Sequence, residues 1–471
     1  MSTFAFAAII FALIGSFLPL CIIFKYTRLN CPLAITRNIP LTLFSFYCIV
    51  YYGFGTIALM WNETFLMVPA SEVLLYALFI AFLSYLAFVA GYLLINSKDT
   101  IECCHKFGST SQLAILLGYL GGWGFRLVLI KLGLYQKYAY LENFQNTEVS
   151  GLVNIFIQFQ GIMGVFATAG TVIFTRFKWV LIIIEICNSL IIGGKSGIVY
   201  LILIPVIFNY AYLGRLLIKP RLSHLPYGLL LSILLWISGY VTPYAQTFNI
   251  VSSADYVSEI IFNIPDFLDF IATSGSSEYG DEKYMRTRYA AIDPAAAIIH
   301  QHIKNDIPLT YGVPPLQALE MMIPRVLYKD KPEYFGEDIE EQGALRLFNL
   351  PDDDVCGTIL LSGYASFGAC GALLFMFIYG LFLSFFWSVL RRYTQRGEFI
   401  SSAACVGIAY YLGNFVKVEH TFITATILNL RNLAFLFAIY AMLFFIARVL
   451  ILIVAPKWST SHHEPSQVDS A

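Results

Sequence analysis

Eleven apolar runs, each close to the length a helix needs to cross a bilayer, constrain this chain more than any motif in it. They fall near residues 3–24, 39–60, 72–94, 111–131, 152–173, 179–193, 197–214, 226–244, 366–389, 399–416 and 432–455. Hydrocarbon offers a backbone no hydrogen-bonding partner, so runs of this kind must close their amides internally as helices. With 58% hydrophobic and only 13% charged residues, the chain is expected to be an all-α integral membrane protein with about eleven transmembrane helices. The start, Met1 to Phe24, lacks a basic segment and stays apolar too long for a cleaved signal, so it is read as a span.

Charge sets the orientation. Fourteen lysines and arginines occupy one set of alternate short loops, including Lys25, Arg28, Arg176, Lys178, Arg215, Arg391, Arg392 and Lys457. The opposite set holds only Lys137, Lys195, Lys417 and Arg431. The positive-inside rule then puts the C-terminus in the cytoplasm and the N-terminus outside. Four regions follow: N-terminal spans over 1–244, an extracytoplasmic helical insertion over 245–365, C-terminal spans over 366–455 and a cytoplasmic tail over 456–471. No internal repeat is visible, which speaks against an inverted-repeat transporter.

The insertion is the polar part of the chain and the place to look for chemistry. Its pattern is helical. Asp293 followed by Pro294 reads as an N-cap and first turn ahead of AAAIIHQHIKN, Pro314 and Pro315 open LQALEMMI before Pro324 ends it, and a third short helix is expected over 337–348. Nineteen of the thirty acidic residues lie here, and most are expected to do no more than keep an extracytoplasmic cap solvated. The eight basic residues, Lys283, Arg286, Arg288, Lys304, Arg325, Lys329, Lys331 and Arg346, are fewer and more telling. Arg325 follows a proline-terminated helix near the membrane surface, a position suited to bidentate phosphate binding.

At this point the chain resembles a family. IPR at 323–325, DKP at 330–332 and the SGYASFG segment, Ser362 to Gly368, that opens the next span are similar to the Wzy-type O-antigen polymerases, which polymerise oligosaccharide repeat units. The resemblance implies a GT-C-like fold and a bacterial inner-membrane glycosyltransferase of lipopolysaccharide and related polysaccharide biosynthesis. It implies that Arg325, Lys329 and Lys331 lie beside the pyrophosphate of an undecaprenyl-type, polyprenyl-linked glycan. Lys195, in the GGKSG turn Gly193 to Gly197, stands where relatives often carry arginine, and Ser362 stands where they often carry an acidic residue. A chain-length regulator and a flippase are the implied partners, beside membrane lipid.

The chemistry can also be argued without the resemblance. Moving a glycan from a pyrophosphate carrier to a sugar hydroxyl needs cations at the leaving group and a base at the incoming hydroxyl. Arg126, Lys131, Lys195, Lys417 and Arg431 are expected at the outer interface, beneath the insertion. Arg126, within LGGWGFRLVLI, is an intramembrane arginine that must face a cavity, pair with a structural carboxylate or snorkel to the headgroups. Glu185 is likewise a carboxylate within a span, open to a proton-relay or a hydrogen-bonding role. The substrate-binding set is therefore Arg325, Lys331, Lys329, Arg288, Arg286, Arg126 and Lys195, with His300 as the candidate base. His300 and His302, two apart on one helix, point in different directions and cannot share a metal.

Other signals point away from further chemistry. Asp352, Asp353 and Asp354 are consecutive, so neighbouring side chains diverge, and the cations already supply the charge a metal would bring; neither a metal nor a cofactor is expected. GGKS lacks the first glycine of a phosphate loop. The balance of 29 basic against 30 acidic residues gives no nucleic-acid footprint. Of nine cysteines only Cys356 lies near the insertion, which excludes a disulfide framework. Tyr279, Tyr284, Tyr289 and Tyr311 could stack on sugar rings. Two alternatives remain open: an O-antigen-type ligase using similar cations, and a transporter or flippase for the same lipid-linked glycan, which would carry its polar residues at mid-depth on broken helices.

Overall fold

The computed structural model describes residues 3–26, 32–57, 72–95, 107–131, 164–171, 174, 178–192, 204, 207, 263–274, 291–323, 339–350, 357–418 and 420–454. Every regular element among them is a helix. In chain order these are α1 (Thr3–Tyr26), α2 (Pro32–Cys48), which runs on into a π turn at Ile49–Phe54, α3 (Glu72–Ile95), α4 (Ser109–Lys131), α5 (Lys178–Ile192) and α6 (Ile264–Ser274). There follow α7 (Ile292–Lys304), α8 (Val313–Met322), α9 (Ile339–Leu347), α10 (Ile359–Tyr393), α11 (Glu398–Asn414) and α12 (Asn429–Val454), the last preceded by a π turn at Thr424–Leu428. Residues 164–171 are also helical.

Among the described residues four helices are long and apolar enough to cross a membrane: Asn38–Ile57, Val73–Ile95, Ile359–Tyr393 and Thr424–Ile453. Their surroundings differ in a way that matters. The apolar window of the first is 78% buried within the protein, whereas that of the last is only 17% buried. Phe435, Met442, Phe445, Leu452 and Ile453 on α12 are more than half exposed, far more apolar surface than a water-soluble chain tolerates in one patch. Lipid is the medium that suits it. The expected runs at 197–214 and 226–244 lie outside the described residues, apart from 204 and 207.

The bundle is centred on the packing of α3 against α10. Gly91 of α3 lies against the Phe377 carbonyl and Gly380 of α10 against the Phe88 carbonyl, so neither position has room for a Cβ. Without a hydrophobic driving force between helices in lipid, such close backbone approach is what dispersion needs to hold them together. Aromatic rings fill the space beside this contact: Phe44 lies 4.0 Å from Phe88 and 5.6 Å from Tyr379, centroid to centroid. The hydroxyls of Ser45 and Tyr85 meet at 2.6 Å, satisfying each other inside the core. At the far end of the bundle, Glu398 of α11 accepts from the Ser111 amide and hydroxyl at 3.0 and 2.9 Å, which caps the N-terminus of α4.

The three short helices expected within the insertion are present. The first, α7, does not sit apart as a soluble cap: Ile292, Ala295, Ala297, Ile298 and Ile299 are fully buried, and the helix packs on α3 and α10. That burial explains a correction. Asp293 is not the N-cap; the helix begins two residues earlier than expected, after Ala291, because Ala291 and Ile292 are themselves core residues, and Asp293 falls buried in the first turn. Helix α8 carries Pro314 and Pro315 in its first turn as expected, and it ends at Ile323, whose extended backbone suits a residue before proline. Helix α9 packs against α8 and reaches α10.

α10 is two helices rather than one. Phe367 (φ −140°, ψ 24°) and Gly368 (φ 65°, ψ −152°) break it, and the second of these conformations is accessible only to glycine. The short first half folds back on the second, bringing Gly363 against Gly371 and Ala372. Carbonyls released at the break are met by the loop between α7 and α8: the Thr310 amide donates to Ala365 O at 2.9 Å and the Tyr311 amide to Ser366 O at 3.0 Å. The Thr310 hydroxyl also donates to Ala365 O, at 2.9 Å. The insertion is thereby bonded to the broken end of a membrane-length helix.

Candidate functional site

Polar groups collect where α9, the first half of α10 and the connection between α11 and α12 meet. Glu340 and Glu341 occupy the first turn of α9, where the exposed amides of a helix N-terminus favour a carboxylate. Both are buried, at 1% and 5% exposure. Glu340 Oε2 accepts from the Ile423 amide at 2.9 Å. Phe422 and Ile423 open the helical run that leads into α12, so Glu340 satisfies one of its orphan donors while standing on another helix. The Glu341 carboxylate lies against Gly357 and beside Thr421, and Gly357 leaves no room for a side chain there.

Ser362 completes the junction. Its hydroxyl donates to Thr358 O at 3.2 Å and accepts from the Phe422 amide at 3.2 Å, a second link between α10 and the start of the last span. Thr358 is the N-cap of α10, its hydroxyl accepting from the Leu361 amide at 3.1 Å. Thr421 donates to the Thr424 hydroxyl at 3.2 Å, at the mouth of the π turn Thr424–Leu428, and π turns within helices concentrate at functional sites. Deeper, Tyr379 donates to Phe415 O, and the Tyr411 hydroxyl donates to Leu383 O at 2.8 Å. Tyr410 donates to Asn429 Oδ1 at 3.2 Å, and Asn429 donates to Asn414 O at 3.2 Å. Lys417 and His420 lie half-buried on the connection between α11 and α12, and Arg431 is half-buried just below it.

A second buried polar cluster lies between α4 and α5. Arg126 faces Glu185 with both terminal nitrogens engaged, Nη1 to Oε1 at 2.6 Å and Nη2 to Oε2 at 2.8 Å, and both side chains are 3% exposed. This fork-on-fork geometry is the strongest form an ion pair takes. Trp123 sits one turn before Arg126 with its ring centroid 4.9 Å from the guanidinium carbon, which spreads the positive charge over a π face. Tyr119, Trp123 and Arg126 recur at the spacing of a single helical face.

These geometries treat the expected site residues differently. Arg325, Lys329, Lys331, Arg286, Arg288 and Lys195 lie outside the described residues, as do Asp352, Asp353 and Asp354. Arg126 has an internal carboxylate partner, the second of the roles open to it, and that partner is Glu185. His300 and His302 do diverge: His302 Nδ1 lies 2.8 Å from Ile307 O with its ring edge-on to Tyr364, while His300 makes no hydrogen bond among the described residues. Among the described residues no group of three or more histidine, cysteine or acidic side chains could hold a metal ion.

Sequence reading missed Glu340 and Glu341. Both belong to the acidic majority expected to form a solvating surface, and both are buried. The available signal was position, since a pair of acids in the first turn of a helix marks its N-terminus as well as its solubility. No family model, characterised protein or solved structure matches this chain.

Proposed function

We propose that this chain is a multi-pass membrane glycosyltransferase that polymerises polyprenyl-pyrophosphate-linked oligosaccharide repeat units on the outer face of the bacterial inner membrane, on a bundle of about eleven spans with a GT-C-like arrangement. The observation that carries the reading is where the polar chemistry collects. Glu340, Glu341, Ser362 and Thr421 converge where the insertion joins α10 and α12, so the insertion and the bundle share one buried polar junction. The break in α10 supports the same reading. From Gly368 to Arg391 the second half rises about 35 Å, enough to cross a hydrocarbon core of about 30 Å. A transporter needs its break at the midplane, whereas a span running from Arg391 and Arg392 at one headgroup layer would carry this one near the opposite interface. A lipid-linked donor holds its phosphates at that depth, and the cations of the insertion, Arg325, Lys329, Lys331, Arg286 and Arg288, are the groups to meet them.

One observation favours the flippase reading. An ion pair buried between two helices of the bundle, as Arg126 with Glu185, is the kind of group that marks a transport path. A variant replacing both with leucine separates the two readings, because an enzyme whose pair is only structural keeps its activity and a transporter loses it.

The test of the polymerase turns on Arg325. In cells lacking the chromosomal copy, Arg325→Ala is expected to lower polymer at least about tenfold with protein abundance unchanged, and Arg325→Lys to recover only part, because lysine keeps the charge and loses the fork. Full-length polymer from the alanine variant would remove pyrophosphate binding from this position.

A further inference from the structure

Surface at the outer end of α10 divides into two apolar patches that touch. Leu374, Ile378 and Phe385 of α10 are exposed and share one helical face, the stripe a spanning helix turns to lipid. Above the break, Tyr311, Val313 and Leu316 are 72%, 42% and 58% exposed on the loop that enters α8 and on its first turn. Phe367 joins them. Its ring stands edge-on to Phe375, 6.3 Å away, and on its other side a Cβ at Gly312 would lie 3.4 Å from its tip. Gln317 and Glu320 follow on the exposed stripe of α8 and separate this apolar patch from Ile323, 41% exposed, at the other end of the helix.

The backbone of Tyr311 is the second observation. It holds φ 50°, a left-handed conformation that a bulky side chain adopts only when its surroundings impose it. The bond from the Tyr311 amide to Ser366 O and the neighbouring one from Thr310 to Ala365 O do so, and the outcome is a ring directed away from the protein. In water a ring so displayed gains nothing for the strain. At the boundary between hydrocarbon and headgroups a tyrosine buries its ring and keeps its hydroxyl wet. Depth agrees with this. With Arg391 and Arg392 among the headgroups on one side, the rise of about 35 Å along α10 brings Phe367 to the opposite hydrocarbon boundary.

We propose that the loop end of α8 lies in the outer leaflet of the bilayer, with Tyr311, Val313 and Leu316 continuing across Phe367 the lipid-facing stripe of α10. The partner is bilayer phospholipid, and the contact rests on the reading of α10 as a membrane span but not on any enzymatic activity. It holds the insertion against the membrane at the depth where a lipid-linked substrate carries its polar head.

Photolabelling tests this. The full-length protein is placed in phosphatidylcholine–phosphatidylglycerol vesicles containing a phospholipid with a diazirine near the middle of one acyl chain, irradiated, digested and mapped by mass spectrometry. Adducts are expected on Tyr311–Leu316 at a yield within about threefold of those on Leu374–Phe385, and Val313→Glu with Leu316→Glu should lower the first at least about fivefold while leaving the second unchanged. Labelling of α10 without labelling of Tyr311–Leu316 overturns the proposal and leaves the span intact, and would return Tyr311 to the role of a sugar-stacking ring. Labelling of neither overturns both. Because the wild-type pattern alone decides, a variant that fails to fold does not blunt the test.

Discussion

Arg126→Ala is expected to cost about 3–5 kcal/mol of stability, because it strands the Glu185 carboxylate in a site that water does not reach. Both side chains are 3% exposed, so neither can relax to solvent without moving a helix. Thermal unfolding in mild detergent, followed by the loss of the monodisperse peak on size exclusion, measures the effect. Replacing both residues with leucine should return most of the lost stability, since a buried pair gains little over a well-packed apolar substitute and it is the orphaned charge that is costly. The double variant should also keep its polymer. A double variant as unstable as the single one would mean that Trp123 and Tyr119, rather than the charges, organise the contact between α4 and α5.

Gly363→Val is expected to have a large effect on activity. A Cβ at Gly363 would fall 2.6 Å from Gly371 O and 2.7 Å from Ala372 Cα. Both neighbours are backbone, so no rotamer change can make room, and overpacking of this kind costs about 1–3 kcal/mol or more. The two halves of α10 would be forced apart, and with them the carbonyls of Ala365 and Ser366 that hold the loop between α7 and α8. The expected result is loss of polymer by more than about tenfold, with new proteolytic cleavage around Asp306–Gly312 because local opening exposes the loop. Gly363→Ala, with the same Cβ but no branching, should be milder. A valine variant with wild-type polymer and an uncleaved loop would show that the fold-back at Gly368 is dispensable.

The sequence disclosed what depends on local pattern. Helices α7 and α8 were legible because prolines mark their starts, and the bounds of α9 fell within two residues of the expected 337–348. The four membrane-length helices among the described residues were legible from hydropathy alone. What pattern could not give was partnership. Arg126 and Glu185 lie fifty-nine positions apart, and nothing in either stretch announces the other. Glu340 reads as one more surface acid until Ile423, eighty-three positions on, is seen donating to it. SGYASFG was read as the opening of a span, whereas the helix begins at Ile359 and uses that segment to turn back on itself. The cue was Gly363 and Gly371, whose meaning appears only when the two backbones touch. Ser362, where an acidic residue was the expectation from resemblance, instead bonds the Phe422 amide, so the carboxylates of the junction come from α9.

The central claim is that this chain joins glycan repeat units by itself, and one reconstitution tests it. Purified protein in lipid vesicles, given a polyprenyl-pyrophosphate-linked oligosaccharide as both donor and acceptor and no nucleotide sugar, should yield a ladder of products spaced by one repeat unit. The ladder should persist in the presence of a chelator, because the cations of the insertion supply the charge on the leaving pyrophosphate. Single-unit substrate recovered intact, from protein whose folding is verified in the same vesicles, would contradict the polymerase reading, and movement of that substrate across the bilayer without any growth in size would replace it with transport.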